Sequence, residues 1–188
     1  MALVSDHCHQ PEILKKMFQS YPEKPKTRKS YNCPCHAHEL TFSTFLRHPF
    51  FFDPLIAEAF VQNLARIKDA LNIEVIAYVV MPEHCHLLIW PRDEEYQIAN
   101  ILRHLKGPVA KKVLKDFPNI RNLCRVEVSG RNKEVHRFWQ PGGGYDRNMW
   151  SDKAIYNSIS YIHNNPVKRG LCETSEAWPW SSASNPIH

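Results

Sequence analysis

His84-Cys85-His86 places two imidazoles two residues apart inside an apolar run. Side chains alternate across a strand, so in extended backbone both rings project from one face and Cys85 from the other. Two imidazoles so placed can share one divalent cation, although two ligands alone do not close a site. Leu87 and Ile89 keep the phase of Cys85 and mark its face as core-facing, so a pair of solvated histidines is the simpler alternative. A second group lies in Tyr161-Ile162-His163-Asn164-Asn165-Pro166. Tyr161 and Asn165 are four residues apart and share one helical face. A phenol, with a free pKa near 10, becomes a nucleophile when a cation, a base or a metal assists it. An isolated helical tyrosine is otherwise an ordinary amphipathic core residue. Cys33-Pro34-Cys35-His36 with His38, and His7-Cys8-His9 further back, have the residue types of a structural zinc site. The C-x-C spacing is unusual for one and no second clean pair follows, so a free, reduced arm is the expectation.

These groups need elements to hold them. Residues 1 to 36 read as an irregular basic arm with prolines and little apolar periodicity, carrying Lys24, Lys26, Arg28 and Lys29. Residues 37 to 188 read as one catalytic domain. His38 to Phe45 is a Thr- and Phe-rich strand. Asp53-Pro54 opens a helix, with Asp as N-cap and Pro at the first helical position. Ile73 to Val80 is a short apolar strand. Met81-Pro82-Glu83 turns the chain, and His84 to Trp90 returns antiparallel. Glu94 to about Lys115 is helical, with a break expected at Gly107-Pro108. Residues 118 to 137 look like a loop with a short strand near Cys124 to Val128, and Arg137 to Trp139 is a further candidate strand. The three glycines of PGGGYDRN predict a flexible turn. Ser151-Asp152 caps a last helix bearing Ile155, Ile159 and Ile162, and Pro166 ends it. The aromatic tail packs over the domain. The order β-α-β-β-α-β-α is an α+β layout, an antiparallel sheet with helices on one face.

Composition narrows the function classes. The chain has 188 residues, 43% hydrophobic and 11% aromatic, enough for one filled core. No apolar run approaches the roughly 18 residues of a membrane helix. The start of the chain has no signal-peptide pattern, so six cysteines are expected as reduced thiols in a cytoplasmic protein. The net charge of +5 is compatible with a polyanionic partner without establishing one.

Taken together, VVMPEHCHLLIWP, LKGPVAKKV, FWQPGGGYDRN, SISYIHNNPVKRGL and WPWSS resemble, in order and spacing, the REP-associated tyrosine transposases. These belong to the HUH (His-hydrophobic-His) group of single-strand DNA nucleases, and the resemblance runs from about residue 38 to 183. It implies a ferredoxin-like fold, His84 and His86 as metal ligands, Tyr161 as the catalytic tyrosine and Asn165 as the third ligand. Two departures stand out: Glu83 where asparagine is common, and Cys85 in the hydrophobic slot.

Such a donor set suits Mg²⁺ or Mn²⁺. The resemblance implies cutting and rejoining of single-stranded or hairpin DNA through a 5′-phosphotyrosine, with no nucleotide cofactor and no membrane, by a monomer or homodimer. Arg103, Lys106, Lys111 and Lys112 are candidate phosphate contacts, with a solvated cationic helix face as the alternative. Trp139 and Tyr145 are candidate stacking residues, Trp139 being better suited to the core. A domesticated hairpin-binding protein without cleavage, or a replication-initiator-like nickase, are the competing functions.

Overall fold

A computed structural model describes residues 31–127, 134–142 and 144–187. Lys24, Lys26, Arg28, Lys29 and the His7-Cys8-His9 cluster fall outside the described residues, as does most of the expected basic arm. The chain builds β1 (Ala37–Ser43), α1 (Pro54–Ala70), β2 (Ile73–Met81), β3 (His84–Pro91), α2 (Ile98–Asp116), α3 (Pro118–Leu123), β4 (Arg125–Val126), β5 (Val135–His136), β6 (Tyr145–Met149), α4 (Asp152–His163) and α5 (Asn165–Lys168). Four strands form one sheet in the order β2-β3-β1-β6. Every neighbouring pair is antiparallel. This is the split β-α-β order of a ferredoxin-like α+β fold, as the sequence predicts.

Asp53 caps α1 by accepting from the Leu55 amide at 2.9 Å, with Pro54 at the first helical position. Phe60, Leu64 and Ile67 of α1 and Leu105, Val109 and Val113 of α2 meet Leu40, Phe42, Tyr78, Val80, Cys85, Leu87 and Ile89 in one core. The expectation of helices on one face holds for these two. α4 departs from it: Ile155, Ile159 and Ile162 pack on Ala77, Val79, Met81 and Leu88, on the opposite face. The reason is legible in β2, whose apolar residues occupy both phases of the alternation. A strand of that kind needs cover on both sides.

The expected break at Gly107-Pro108 does not occur, and α2 runs through it. Pro108 cannot donate to the His104 carbonyl four residues back. The buried Asn63 of α1 does so instead, its Nδ2 donating to the carbonyls of His104 at 3.0 Å and Leu105 at 2.7 Å. Asn63→Ala is therefore expected to cost about 1–3 kcal/mol, the penalty for stranding buried polar groups. A urea denaturation curve that matches the parent's would refute that account of the helix.

PGGGYDRN is not only a turn. Tyr145–Met149 forms the edge strand β6 on β1, whereas the fourth sheet strand was expected nearer Cys124 or Arg137. Asp and Asn are poor strand formers, so propensity hides this strand, and pairing to β1 decides it. Residues 118–123 are helical rather than loop. β4 and β5 pair as a separate two-stranded sheet, and Trp139 only bridges to Thr44. Gly144, at φ +71, lies so close to β1 that a Cβ there would meet the Thr41 carbonyl oxygen at 2.2 Å. Gly144→Ala is expected to lose about 2–4 kcal/mol through backbone strain and overpacking. The melting temperature is the check, and an unchanged value would contradict this close approach.

After β6, Ser151 Oγ accepts from the Ala154 amide and starts α4. Pro166 does end that helix, which stops at His163, but it also occupies the first turn of α5. The tail then covers the exposed edge of β2. The Val80 amide donates to the Trp180 carbonyl at 2.8 Å, and the Trp178 indole donates to the Val80 carbonyl at 2.9 Å.

Candidate active site

The Met81-Pro82-Glu83 turn is pinned from two sides. The Phe51 amide donates to the Pro82 carbonyl, and the Thr44 amide donates to the Glu83 carbonyl, each at 3.0 Å. β3 leaves this turn with His84 and His86 on the face that α4 covers. Their Nε2 atoms face one another at 3.0 Å. Each Nδ1 has its own partner. Glu83 Oε1 lies 2.9 Å from that of His84, and Thr41 Oγ1, across the β1–β3 pair, lies 2.8 Å from that of His86. Tyr161 of α4 sets its ring edge-on to His86, with centroids 5.3 Å apart. It is 43% exposed while both histidines are buried, so the phenol is open to a ligand.

Glu83 ties three segments together. Arg47 Nη2 donates to its Oε1 at 2.9 Å and Arg169 Nη1 at 2.5 Å, in addition to the His84 contact. Burial pushes the Glu83 carboxyl up, but the His84 ring and Arg169 outweigh it and hold the group down at about 2. Arg47 reaches it from the turn Phe45–Arg47, in which Leu46 and Arg47 stand at φ +50 and +54. Two consecutive non-glycine residues in the left-handed region are uncommon, and the Glu83 contact is one bond that keeps them there. Burial, with the charges of His84 and Arg47, pushes His86 down to about 3, so its imidazole is neutral at neutral pH.

That chemistry bears on a cation. An ionised carboxylate only accepts, so the Nδ1 of His84 donates to Glu83 and its Nε2 is the atom turned towards His86. The Thr41 hydroxyl can either donate to the Nδ1 of His86 or accept from it. With both outer nitrogens held by partners, the two Nε2 atoms would be the ones to hold a divalent cation, in place of the proton they share at 3.0 Å. The residues present fit a divalent metal.

Asn165 is buried at the first position of α5. The same short helix holds Lys168, whose Nζ lies 5.3 Å from the Tyr161 ring centre, and leads directly into Arg169. Two helical segments, not one continuous helix, therefore carry Tyr161 and Asn165.

The α2 cations are elsewhere. Arg103, Lys111 and Lys112 are exposed on the helix that covers the sheet face opposite the histidines. Arg103 donates to Asn100, and Lys112 pairs with Asp116 at 2.8 Å. Lys106 turns inward, with its ammonium 5.0 Å from the Phe42 ring and 5.4 Å from that of Trp139, and burial lowers its pKa. A phosphate-binding role for Lys106 conflicts with that placement. Trp139 belongs to the core, packed on Phe42 and Phe138 with its indole donating to the Lys106 carbonyl. Tyr145 lies on the edge strand. Among the described residues no cluster of three or more His, Cys, Asp or Glu can hold a metal, and Cys33 and Cys35 are free. Cys85 is fully buried away from the histidines, and burial keeps its thiol well above the ordinary range.

Sequence reasoning passed over Thr41, Arg47, Lys168 and Arg169. The Lys-Arg pair just after Asn165 was a usable signal. Thr41 becomes visible only once strand register is known.

Residues 30–165 match the family described as Transposase IS200 like, and the chain belongs to that family. It is similar to a putative REP-associated tyrosine transposase of Haemophilus influenzae, with 29% identity over 58% of each chain. It is also similar to the REP-associated tyrosine transposase of Escherichia coli, with 27% identity over 63% of this chain and 59% of that one. The matched region thus spans under two thirds of these relatives. A solved REP-associated tyrosine transposase bound to a REP hairpin shares the fold, with a TM-score of 0.63 and 18% identity over 87% of this chain and 88% of that one.

Proposed function

We propose that this chain cuts and rejoins single-stranded DNA at hairpins of the REP type, with Tyr161 as nucleophile. The observation that carries this reading is the convergence of the His84 and His86 Nε2 atoms beside the exposed Tyr161 ring. His84, His86 and Asn165 would hold Mg²⁺ or Mn²⁺, which when bound polarises the scissile phosphate. The Tyr161 oxygen forms a bond to phosphorus, the bond from phosphorus to the 3′ oxygen breaks, and the departing strand ends in a 3′-hydroxyl. The phenol's proton is accounted for by that hydroxyl. The product is a 5′-phosphotyrosine, and attack by another 3′-hydroxyl reverses the step and joins a new strand. The phosphodiester is exchanged rather than hydrolysed, so no nucleotide cofactor is needed.

Lys168, Arg169 and Arg47 supply the positive field for the phosphate. Their positions support this role better than those of the α2 cations, because all three reach Tyr161 or Glu83. The test is direct. Labelled hairpin DNA with a single-stranded flank, incubated with the protein and Mn²⁺, should yield a slower covalent species on a denaturing gel. Tight binding without that species would replace this reading with a hairpin-binding protein that does not cut.

A further inference from the structure

The two histidines of the site are not held alike. Glu83 meets the Nδ1 of His84 with a carboxylate that only accepts, so it fixes that ring in one tautomer. The Nδ1 of His86 meets a hydroxyl instead, Thr41 Oγ1 at 2.8 Å, which both donates and accepts. The pairing of β1 with β3 puts Thr41 directly opposite His86, so strand register supplies this partner.

One proton lies between the facing Nε2 atoms, which are 3.0 Å apart. A neutral His84 has spent its single ring proton on Glu83, so its Nε2 accepts and His86 donates. Burial keeps His86 neutral as well, so its only ring proton is the one on Nε2. Its Nδ1 then carries a lone pair, and the Thr41 hydroxyl donates to it. In this state the pair closes on itself. Every ring nitrogen has a partner, although both residues are more than nine-tenths buried. A cation held between the rings needs both Nε2 lone pairs. The His86 proton must then sit on Nδ1, and Thr41 must accept where it had donated.

We infer that Thr41 is a positioning residue whose hydroxyl reverses its hydrogen bond to His86 when a divalent cation binds, and so lets that ring exchange one tautomer for the other. The inference rests on the reading of His84 and His86 as ligands. The exchange moves one proton from Nε2 to Nδ1 and leaves the charge of the ring unchanged. A carboxylate or carbonyl opposite His86 would hold the proton on Nδ1 permanently. Without a cation, the two Nε2 lone pairs would then face each other at 3.0 Å. A methyl group there would leave the Nδ1–H of the loaded site buried without an acceptor, which is costly. A hydroxyl avoids both problems. Thr41 is half-buried, so water is at hand to accept the hydroxyl's own proton once it turns.

Nitrogen-15 NMR of the histidine rings reads the tautomers directly, at mildly alkaline pH with and without Mg²⁺. Without the ion, His86 is expected to carry its proton on Nε2. Saturating Mg²⁺ should move it to Nδ1, while His84 keeps its proton on Nδ1 throughout. Thr41→Val keeps the branched shape that suits a strand, so the melting temperature should hold. It should weaken Mn²⁺ binding, read by calorimetric titration, by about 10–100-fold. Thr41→Ser returns the hydroxyl and should return the affinity. A His86 tautomer that is the same in both conditions, while the His84 Nε2 resonance shows the ion bound, overturns the switch alone. A Val variant that binds Mn²⁺ as tightly as the parent does the same, and so does a Ser variant as weak as the Val variant. No response of either ring to Mg²⁺ in the parent removes the reading of the pair as ligands, and the switch with it.

Discussion

Tyr161→Phe is expected to eliminate the covalent protein–DNA species, a loss on the order of 10⁴-fold or more, while hairpin affinity stays near that of the parent. The substitution deletes one oxygen and keeps the ring. The edge-on contact with His86, the Lys168 ammonium over the ring and the packing of α4 all involve the ring rather than the hydroxyl, so the fold has no reason to change. Among the described residues no other phenol takes the same position. Tyr156 is also exposed, at 69%, but it lies five residues earlier on α4 and makes no ring contact with either histidine. A denaturing gel run beside a binding titration separates the two effects. A covalent species that persists in the Phe variant would show that another residue attacks.

The second large effect is expected at Glu83. Its one oxygen Oε1 meets His84, Arg47 and Arg169. Glu83→Gln keeps the shape but removes the charge that answers two guanidiniums. Because those side chains are 46% and 33% exposed, water takes up part of the deficit. The stability cost is then about 1–3 kcal/mol rather than the larger penalty of a fully enclosed pair. The effect on metal should be greater. A carboxylate behind a ligating imidazole fixes its tautomer and raises its basicity, and losing one typically weakens metal binding by about 10–100-fold. Calorimetric titration with Mn²⁺ reads this directly, and an unchanged affinity would show that Glu83 does not support the imidazole.

The pH dependence of stability has a definite sign. The folded carboxyl sits at about 2, below its ordinary 4.5, so its stabilisation is complete above pH 4.5 and fades as pH falls towards 2. The Gln variant lacks that contribution, so the stability gap between the two proteins should close across this window.

The parts of the fold that local chemistry determines were legible in the sequence. Asp53-Pro54, Pro82 and Ser151 each act on the backbone next to them, and all three act where expected, whereas Pro166 opens the short helix that follows α4. What escaped depends on partners distant in sequence. α2 passes through Pro108 because Asn63, on another helix, supplies the missing donor. β6 is a strand because β1 pairs with it, against the preferences of its own residues. The site divides in the same way. The phase of His84 and His86 follows from the two-residue period of a strand, and Tyr161 and Asn165 follow from the resemblance to a known family. Thr41, Arg47 and Arg169 meet the histidine pair or Glu83 only through tertiary structure. The cations chosen on α2 form a convincing helical stripe, but nothing local to that helix says which side of the sheet it will cover.

Asn164 closes α4 with φ −83 and ψ 0, and the chain starts a separate short helix at the next residue. A joint rather than a rod thus separates the Tyr161 phenol from the buried amide four positions on. Their spacing is set by a few backbone angles at Asn164 and not by helical pitch. Evolution or design can retune the reach of the Tyr161 phenol at that one pivot and leave every imidazole untouched.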